Sequence, residues 1–542
     1  MHYYVSTRVV FNIPKATAIE NGTNASAETA MELGGSNGKL TPKQNSLNNN
    51  HNASSKTEDE YHSDKELAPP KRPRGRPRKK VNFGNKTASD IVNGSVTTEH
   101  EPKRKTARKI KVVAIPNLEV PQVMGEGKCL AAGDGDAGQL GIGEDGLGGK
   151  PRFVPVFALE GENEIQPKAV RCAAGGMHSL VLTHKGEVYS FGCNDDYALG
   201  RVTAEEEDSY IPGRVSVPNE IKVAKIAAGN VHNVILTTDG RVLIWGIYRD
   251  AGGRFGMGPK NDKGEPYHAP TEITDLLPER IVDIACGQEH TLLLGNEGNV
   301  FSMGCAEQGQ LGRVRKSHCN AQDNRRGRAT MLQPGQVIVV NGRKSFKCDG
   351  IWASSYNSFV RSAVDGTIWG CGLQNYKQLG QVELAAGEQC VFSMVKLKAF
   401  DPKIKWIEIV GGERHTLALD ANGKVYAMGS SLYGRLGLGK VSGKEPPDVA
   451  VLTIVPGLEG IAMISAGDHT SFALDKKGIL YSWGQGSNML GQGDRDNADE
   501  KDIFEPTPCS SKTLKTSKVV FISAGSIHSL CIVTPKEDNA HN

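Results

Sequence analysis

The chain has 542 residues with 64 glycines, an apolar fraction of 38% and only 6% aromatic residues, a composition that points to many turns rather than a large helical core. No run of 18 or more apolar residues occurs, which excludes a membrane-spanning helix, and the opening MHYYVSTRVVF, interrupted by Arg8, is too short for the apolar core of a secretion signal. The net charge of +3 conceals two opposed halves, since residues 1–120 carry 20 Lys and Arg against 12 Asp and Glu (net +8), leaving 44 against 49 (net −5) in residues 121–542.

A soluble, intracellular protein with no membrane partner is expected. A basic leading segment suits nucleic acid, and an acidic body suits basic proteins. The eleven cysteines are odd in number and never spaced as CxxC, which argues against a disulfide framework and a structural zinc site. Reduced thiols, no metal and no cofactor are expected.

Residues 1–120 are rich in Asn, Ser, Thr, Lys, Glu and Pro, too polar to offset the entropy of ordering, so a disordered tail is predicted. Within it, KRPRGRPRKK at 71–80 places Arg74, Gly75, Arg76 and Pro77 in a near-palindrome like an AT-hook. An extended strand with Gly at its centre is thin enough to enter a narrow A·T-rich minor groove, where concentrated negative potential attracts Arg. A second cluster at 102–111, with Lys103, Arg104 and Lys105, reads as an import signal or as phosphate-binding residues. Recognition by nuclear import receptors is the favoured reading of the two.

From residue 121 the sequence repeats. One half-repeat, AxGxxH[ST]xxL, recurs with His178, His232, His290, His415 and His528 in register and with Asn357 and Thr470 in weaker copies, at intervals of 54 to 67 residues. The other half, DGxVYxxG followed by LG, also occurs seven times. The first LG half, at 129–141, has no partner before it, and the last AxGxxH half, at 523–532, has none after it. Each orphan completes the other. Seven four-stranded units, the last assembled from both chain ends, describe an all-β fold: a seven-bladed β-propeller over 121–535 closed by pairing of its N- and C-terminal strands, with 536–542 disordered.

Chemical signatures are few. GDGDAG at 133–138 matches GxGxxG without a following βαβ unit, and the chain lacks GxxxxGK[ST], HExxH and a GxSxG elbow. One histidine per blade beside a turn is expected to satisfy backbone groups of that turn rather than to catalyse. Departures from the repeat are better candidates. IYRDAGGRFG lengthens the loop between Gly246 and Gly256 and predicts a protruding hairpin. The 67-residue interval adds a basic excursion with Arg325, Arg326 and Arg328, for which the acidic patch of the nucleosome core histones is the expected target.

The segments GGMHSLVLTHKGEVYSFGCNDDYALGR, WGIYRDAGGRFG, GCAEQGQLGRV, GLQNYKQLG and YGRLGLG resemble the regulator of chromosome condensation family, over roughly residues 125–535. The resemblance implies a nuclear, chromatin-associated guanine-nucleotide exchange factor for the small GTPase Ran, found on chromosomes in mitosis, which performs no covalent chemistry. One face would grip Ran, and the other, with the tail, the nucleosome. It further implies that the hairpin at Tyr248, Arg249 and Asp250 is the family's wedge against the GTPase phosphate-binding loop. Asp136, His178, Arg249, Arg313 and His528 match positions of the family's exchange face. Asn230 stands where the family has Asp, Glu289 where it has Asp, and Lys377 and Arg414 where it has His. Two alternatives accompany this reading. A chromatin-associated propeller adaptor without exchange activity is favoured by Asn230 and Arg414. A light-sensing relative is set aside because the five tryptophans are expected to lie one per blade or fewer.

Overall fold

The computed structural model describes Glu119, Pro121 and residues 127–156, 168–218, 220–259, 264–319, 325–444, 447–493 and 501–536, without the side chains of Arg325 and Arg326. The proposed tail disorder, Arg74 to Pro77, Lys103 to Lys105 and residues 537–542 lie outside these. Among the described residues no helix is long and apolar enough to cross a membrane.

Seven four-stranded antiparallel sheets form a seven-bladed β-propeller. We number the blades from the first continuous one: blade 1 spans Ala169 to Arg214, blade 2 Val223 to Glu272, blade 3 Ile281 to Val337, blade 4 Cys348 to Lys396, blade 5 Trp406 to Ile454 and blade 6 Ile461 to Pro508. Blade 7 takes its two inner strands, Ser517–Ala524 and His528–Pro535, from the C-terminal end and its two outer strands, Lys128–Gly133 and Lys150–Pro155, from the N-terminal side. The seam is an unbroken antiparallel ladder from Lys128 opposite Val533 to Gly133 opposite His528. This is the closure that the orphan half-repeats predict. Lys536, expected to be disordered, is bonded back to Thr516 and Lys515.

The second strand of each blade is packed on both faces by its neighbours, which is why HSLVLT and HTLLLG read as continuous rather than alternating apolar runs. Core clusters accordingly lie between blades, as where Val181, Tyr189 and Phe191 of blade 1 meet Leu530 and Ile532 of blade 7. All eleven thiols are unpaired, and seven are buried. GDGDAG is a blade loop closed by Gly138 N–H on Gly135 O at 2.8 Å. One expectation fails: Trp352 and Trp369 share the sheet of blade 4.

All seven turns of the AxGxxH half-repeat line the central channel, and the backbone of five of them bonds to the next blade. Asn230 N–H donates to Gln288 O at 2.8 Å, Gln288 N–H to Ser355 O at 3.0 Å and Ser526 N–H to Gly175 O at 3.1 Å. The histidines do not serve their own turns, contrary to the expectation. Their Nε2 atoms cross to the residue after the recurrent position of the following blade: His178 to Asn233 (2.7 Å), His232 to Thr291 (3.2 Å), His290 to Ser358 (2.9 Å), His415 to Ser471 (2.9 Å) and His528 to Ser179 (2.8 Å). The receiving side chain then donates to a carbonyl of the LG loop: Ser179 to Gln139, Asn233 to Ala198, Ser358 to Gln310 and Ser471 to Arg435, at 2.6 to 2.8 Å. A hydroxyl has one proton to give, so the imidazole must donate Nε2–H.

Burial pushes His178 down to about 4 and His232, His290 and His528 down to about 3. Unfolded, these imidazoles titrate near 6.5, so below that pH the unfolded chain binds more protons than the fold. Stability present above pH 6.5 is therefore lost on acidification, by roughly 1.4 kcal/mol per histidine and pH unit. Buried Glu289 and half-buried Glu408, both raised to about 7, act in the opposite sense over part of that window. Replacing His290 by Asn, the residue the repeat itself uses at 357, should flatten the acid limb of a stability–pH curve measured by denaturant titration between pH 7 and 4. An acid limb as steep as in the unmodified protein would contradict a neutral ring.

Candidate functional site

The lengthened loop of blade 2 is a two-stranded hairpin, Tyr248–Asp250 against Gly253–Gly256, with Tyr248 opposite Gly256 and Arg249 opposite Arg254. Its tip, Ala251 to Arg254, is exposed, whereas Tyr248 and Phe255 are buried. The Asp250 carboxylate accepts Gly252 N–H at 2.8 Å and tightens the bend. Elsewhere a hydroxyl, or in blade 2 the Asn233 amide, donates to a carbonyl of the preceding blade's loop. Here the loop has been drawn out, and the Tyr248 hydroxyl takes that place at 2.8 Å from Thr291 Oγ1, its ring 4.3 Å from that of His232. The hairpin is thus anchored in the blade-to-blade ring.

Two neighbouring blades fix its base. From blade 3, the Glu289 carboxylate accepts Arg249 N–H at 2.6 Å and the Asn230 amide at 2.9 Å, and Glu307 accepts Ala251 N–H at 3.0 Å. From blade 1, the buried Asp196 carboxylate pairs with Arg249 Nη2 at 2.6 Å and with Arg254 on the other strand. Burial raises Glu289 to about 7, against the lowering effect of those two hydrogen bonds and the Arg249 charge. Gly304 sits under this cluster at φ 115, and a Cβ there would come within 2.5 Å of Glu289 O.

The structure therefore brings together Asn230, Tyr248, Arg249, Asp250 and Glu289. Lys377 and Arg414 form a second group on the same loop face: the Arg414 guanidinium lies 4.8 Å from the Tyr376 ring, beside exposed Lys377, whose φ is 64. Asp136 stands apart and exposed, at a groove shared with Lys150 and Asn488. His178 and His528 are 1% exposed and engaged in the ring. Arg313 is spent inside blade 3, where Nε donates to Ser302 O and Nη2 to Thr330 O, Met331 O and Gln333 O. The segment from Arg325 is an α-helix, Arg325–Leu332, and Arg328 is half-buried over the Phe255 ring at 5.4 Å.

Sequence reasoning missed Asp196, Glu307 and Arg254, which carry half of the hairpin's fixation. A signal existed in NDDYALG, where Asp196 and Tyr197 both adopt positive φ, since Asp tolerates that conformation. It also missed Arg435. That side chain is fully buried and bonds Leu432 O through Nε at 2.8 Å, and burial and the Arg414 charge push it down to about 10.

Seven blades and an anchored hairpin with an exposed tip define a β-propeller with a projecting element. The family description "RCC1-like domain" matches residues 128–531. The regulator of chromosome condensation of Drosophila melanogaster is 37% identical over 465 residues, covering 84% of this chain and 77% of that protein. The human regulator of chromosome condensation is 34% identical over 417 residues, covering 76% and 92%. Among solved structures, Prp20p of Saccharomyces cerevisiae, described with its binding to Gsp1p and histones, superposes with a TM-score of 0.67 at 26% identity, covering 77% of this chain and 94% of that one. The chain belongs to the regulator of chromosome condensation family, the propellers with an RCC1-like domain.

A carboxylate at position 230 would face that of Glu289. Asn230→Asp should therefore destabilise the protein by about 1 to 3 kcal/mol at pH 8, where both groups are ionised. The loss should shrink at pH 6, where the pair can share a proton. Chemical denaturation at the two pH values checks this, and an equal loss at both would mean that the carboxylates do not meet.

Proposed function

We propose that this protein is a guanine-nucleotide exchange factor for the small GTPase Ran, working on chromatin in the nucleus. The observation that carries the reading is the hairpin: an exposed tip on a base held from the two neighbouring blades. A GTPase retains its nucleotide through backbone N–H groups around the phosphates and through Mg²⁺. A rigid hairpin pressed into that loop need only displace it. The factor performs no covalent step; it must bind the nucleotide-free GTPase more tightly than the loaded one, so that release becomes downhill in the complex.

Arg249 is committed to Asp196, and Arg254 at the tip shares that carboxylate while remaining exposed. Lys377, Arg414 and Asp136 supply further charge on the face. The basic tail, through Arg74 and Arg76 in an A·T-rich minor groove, and the helix with Arg325 and Arg326 supply the proposed contacts to DNA and nucleosome core histones. Lys103, Arg104 and Lys105 supply the contact to import receptors. The name and partners of the yeast structure support the Ran and histone assignments by similarity.

The adaptor reading has one specific observation behind it. His178, His528 and Arg313, three of the five residues matching the exchange face, are occupied by the fold itself.

Replacing residues 249–254 by a two-residue turn should lower the rate of GDP release at saturating Ran by at least about tenfold, equivalent to about 1.4 kcal/mol of lost transition-state stabilisation. Nucleosome binding, measured by gel shift, should not change. Normal exchange by the shortened protein refutes the hairpin's role.

A further inference from the structure

The helix Arg325–Leu332 lies in the insertion of blade 3, yet its side chains pack on the hairpin of blade 2. Met331 and Leu332 are buried in one apolar cluster with Tyr248, Phe255 and Met257. The Arg328 guanidinium sits 5.4 Å over the Phe255 ring, within the range of a cation–π contact. Phe255 is the last large side chain of the returning strand, directly behind the exposed tip.

The helix has little intrinsic reason to form. It is eight residues long, begins Arg-Arg-Gly-Arg and contains Thr330, a poor sequence at a marginal length. Its position is imposed from blade 3. Arg313 bonds Ser302 O and Oγ through Nε and, with Nη2, holds the carbonyls of Thr330, Met331 and Gln333 at 2.9 to 3.3 Å, which pins the end of the helix. A continuous set of contacts thus runs from the interior of blade 3 through Arg313 and the helix to Phe255.

A hairpin of three and four residues is not stable by itself. Asp196, Glu289 and Glu307 hold its polar edges, but they do not oppose a push on its apolar back. The side on which Arg328 covers Phe255 does. We propose that the helix Arg325–Leu332 is a positioning element for the hairpin, in which Arg328 on the Phe255 ring keeps the tip from yielding when it meets its partner. This rests on the exchange reading of the same hairpin and goes further by assigning a role to residues outside the GTPase-facing surface. The helix acts through Phe255 and touches no nucleotide.

Three full-length variants test it: Arg328→Ala removes the cover, Arg328→Met keeps the volume without the charge, and Arg328→Lys keeps the charge. Amide hydrogen exchange of the free protein across residues 249–254 should accelerate about threefold to tenfold in Arg328→Ala, less in Arg328→Met and least in Arg328→Lys, at an unchanged global unfolding temperature. The maximal rate of GDP release from Ran should fall in the same order, with little change in the Ran concentration giving half-maximal rate. Unaltered amide exchange in Arg328→Ala overturns the proposal, whatever the activity. Faster amides with an unaltered maximal rate overturn the positioning role. Absence of exchange activity in the unmodified protein refutes the Ran reading instead and leaves the amide measurement to decide whether the helix supports the hairpin.

Discussion

The structure depends on a hydrogen-bond ring that passes from blade to blade. At five of the seven junctions an imidazole donates Nε2–H to a Ser, Thr or Asn side chain of the following blade, and at four of these that side chain donates in turn to a loop carbonyl. Sheets in a propeller otherwise meet through apolar faces, which attract without fixing direction. These bonds add direction, since an unpaired buried donor costs about 1 to 3 kcal/mol, and the blades they join are therefore set against one another. At 533 opposite 128 the backbone ladder closes the circle.

This platform explains how one loop can be given to another purpose. In blade 2 the loop no longer offers a carbonyl to Thr291, and Tyr248 supplies a phenol oxygen in its stead. The hairpin leaves the ring intact while projecting from it. Its base is clamped by carboxylates from the blades on either side, and its back is covered by the insertion of blade 3. Glu289, raised to about 7 by burial, is held in place by donors from Asn230 and Arg249. Where two carboxylates would repel, an amide and a carboxylate bond.

The fold was legible because its marks are periodic. Glycine turns and one histidine per unit repeat, and the two orphan halves at the ends could be completed only by each other. The hairpin was legible as the place where the period breaks. What the marks do was not legible. His178 and Asn233 are 55 residues apart, Arg249 and Asp196 53, and such pairings exist only once neighbouring blades have packed. For the same reason, the bonds that His178 and His528 make in the ring and Arg313 makes to the insertion could not be read from the resemblance. The helix escaped notice because nothing in RRGRATML favours one; Arg313 pins its end from outside the segment.

The central claim is that a rigid polar face with one projecting hairpin releases nucleotide without chemistry. The direct measurement is the release of labelled GDP from Ran, in the presence of excess unlabelled nucleotide, with the full-length protein at about one hundredth of the Ran concentration. The account predicts complete release through many turnovers per molecule, at a rate proportional to the amount of protein added. Release at the spontaneous rate, with the propeller folded and binding nucleosomes, would contradict it.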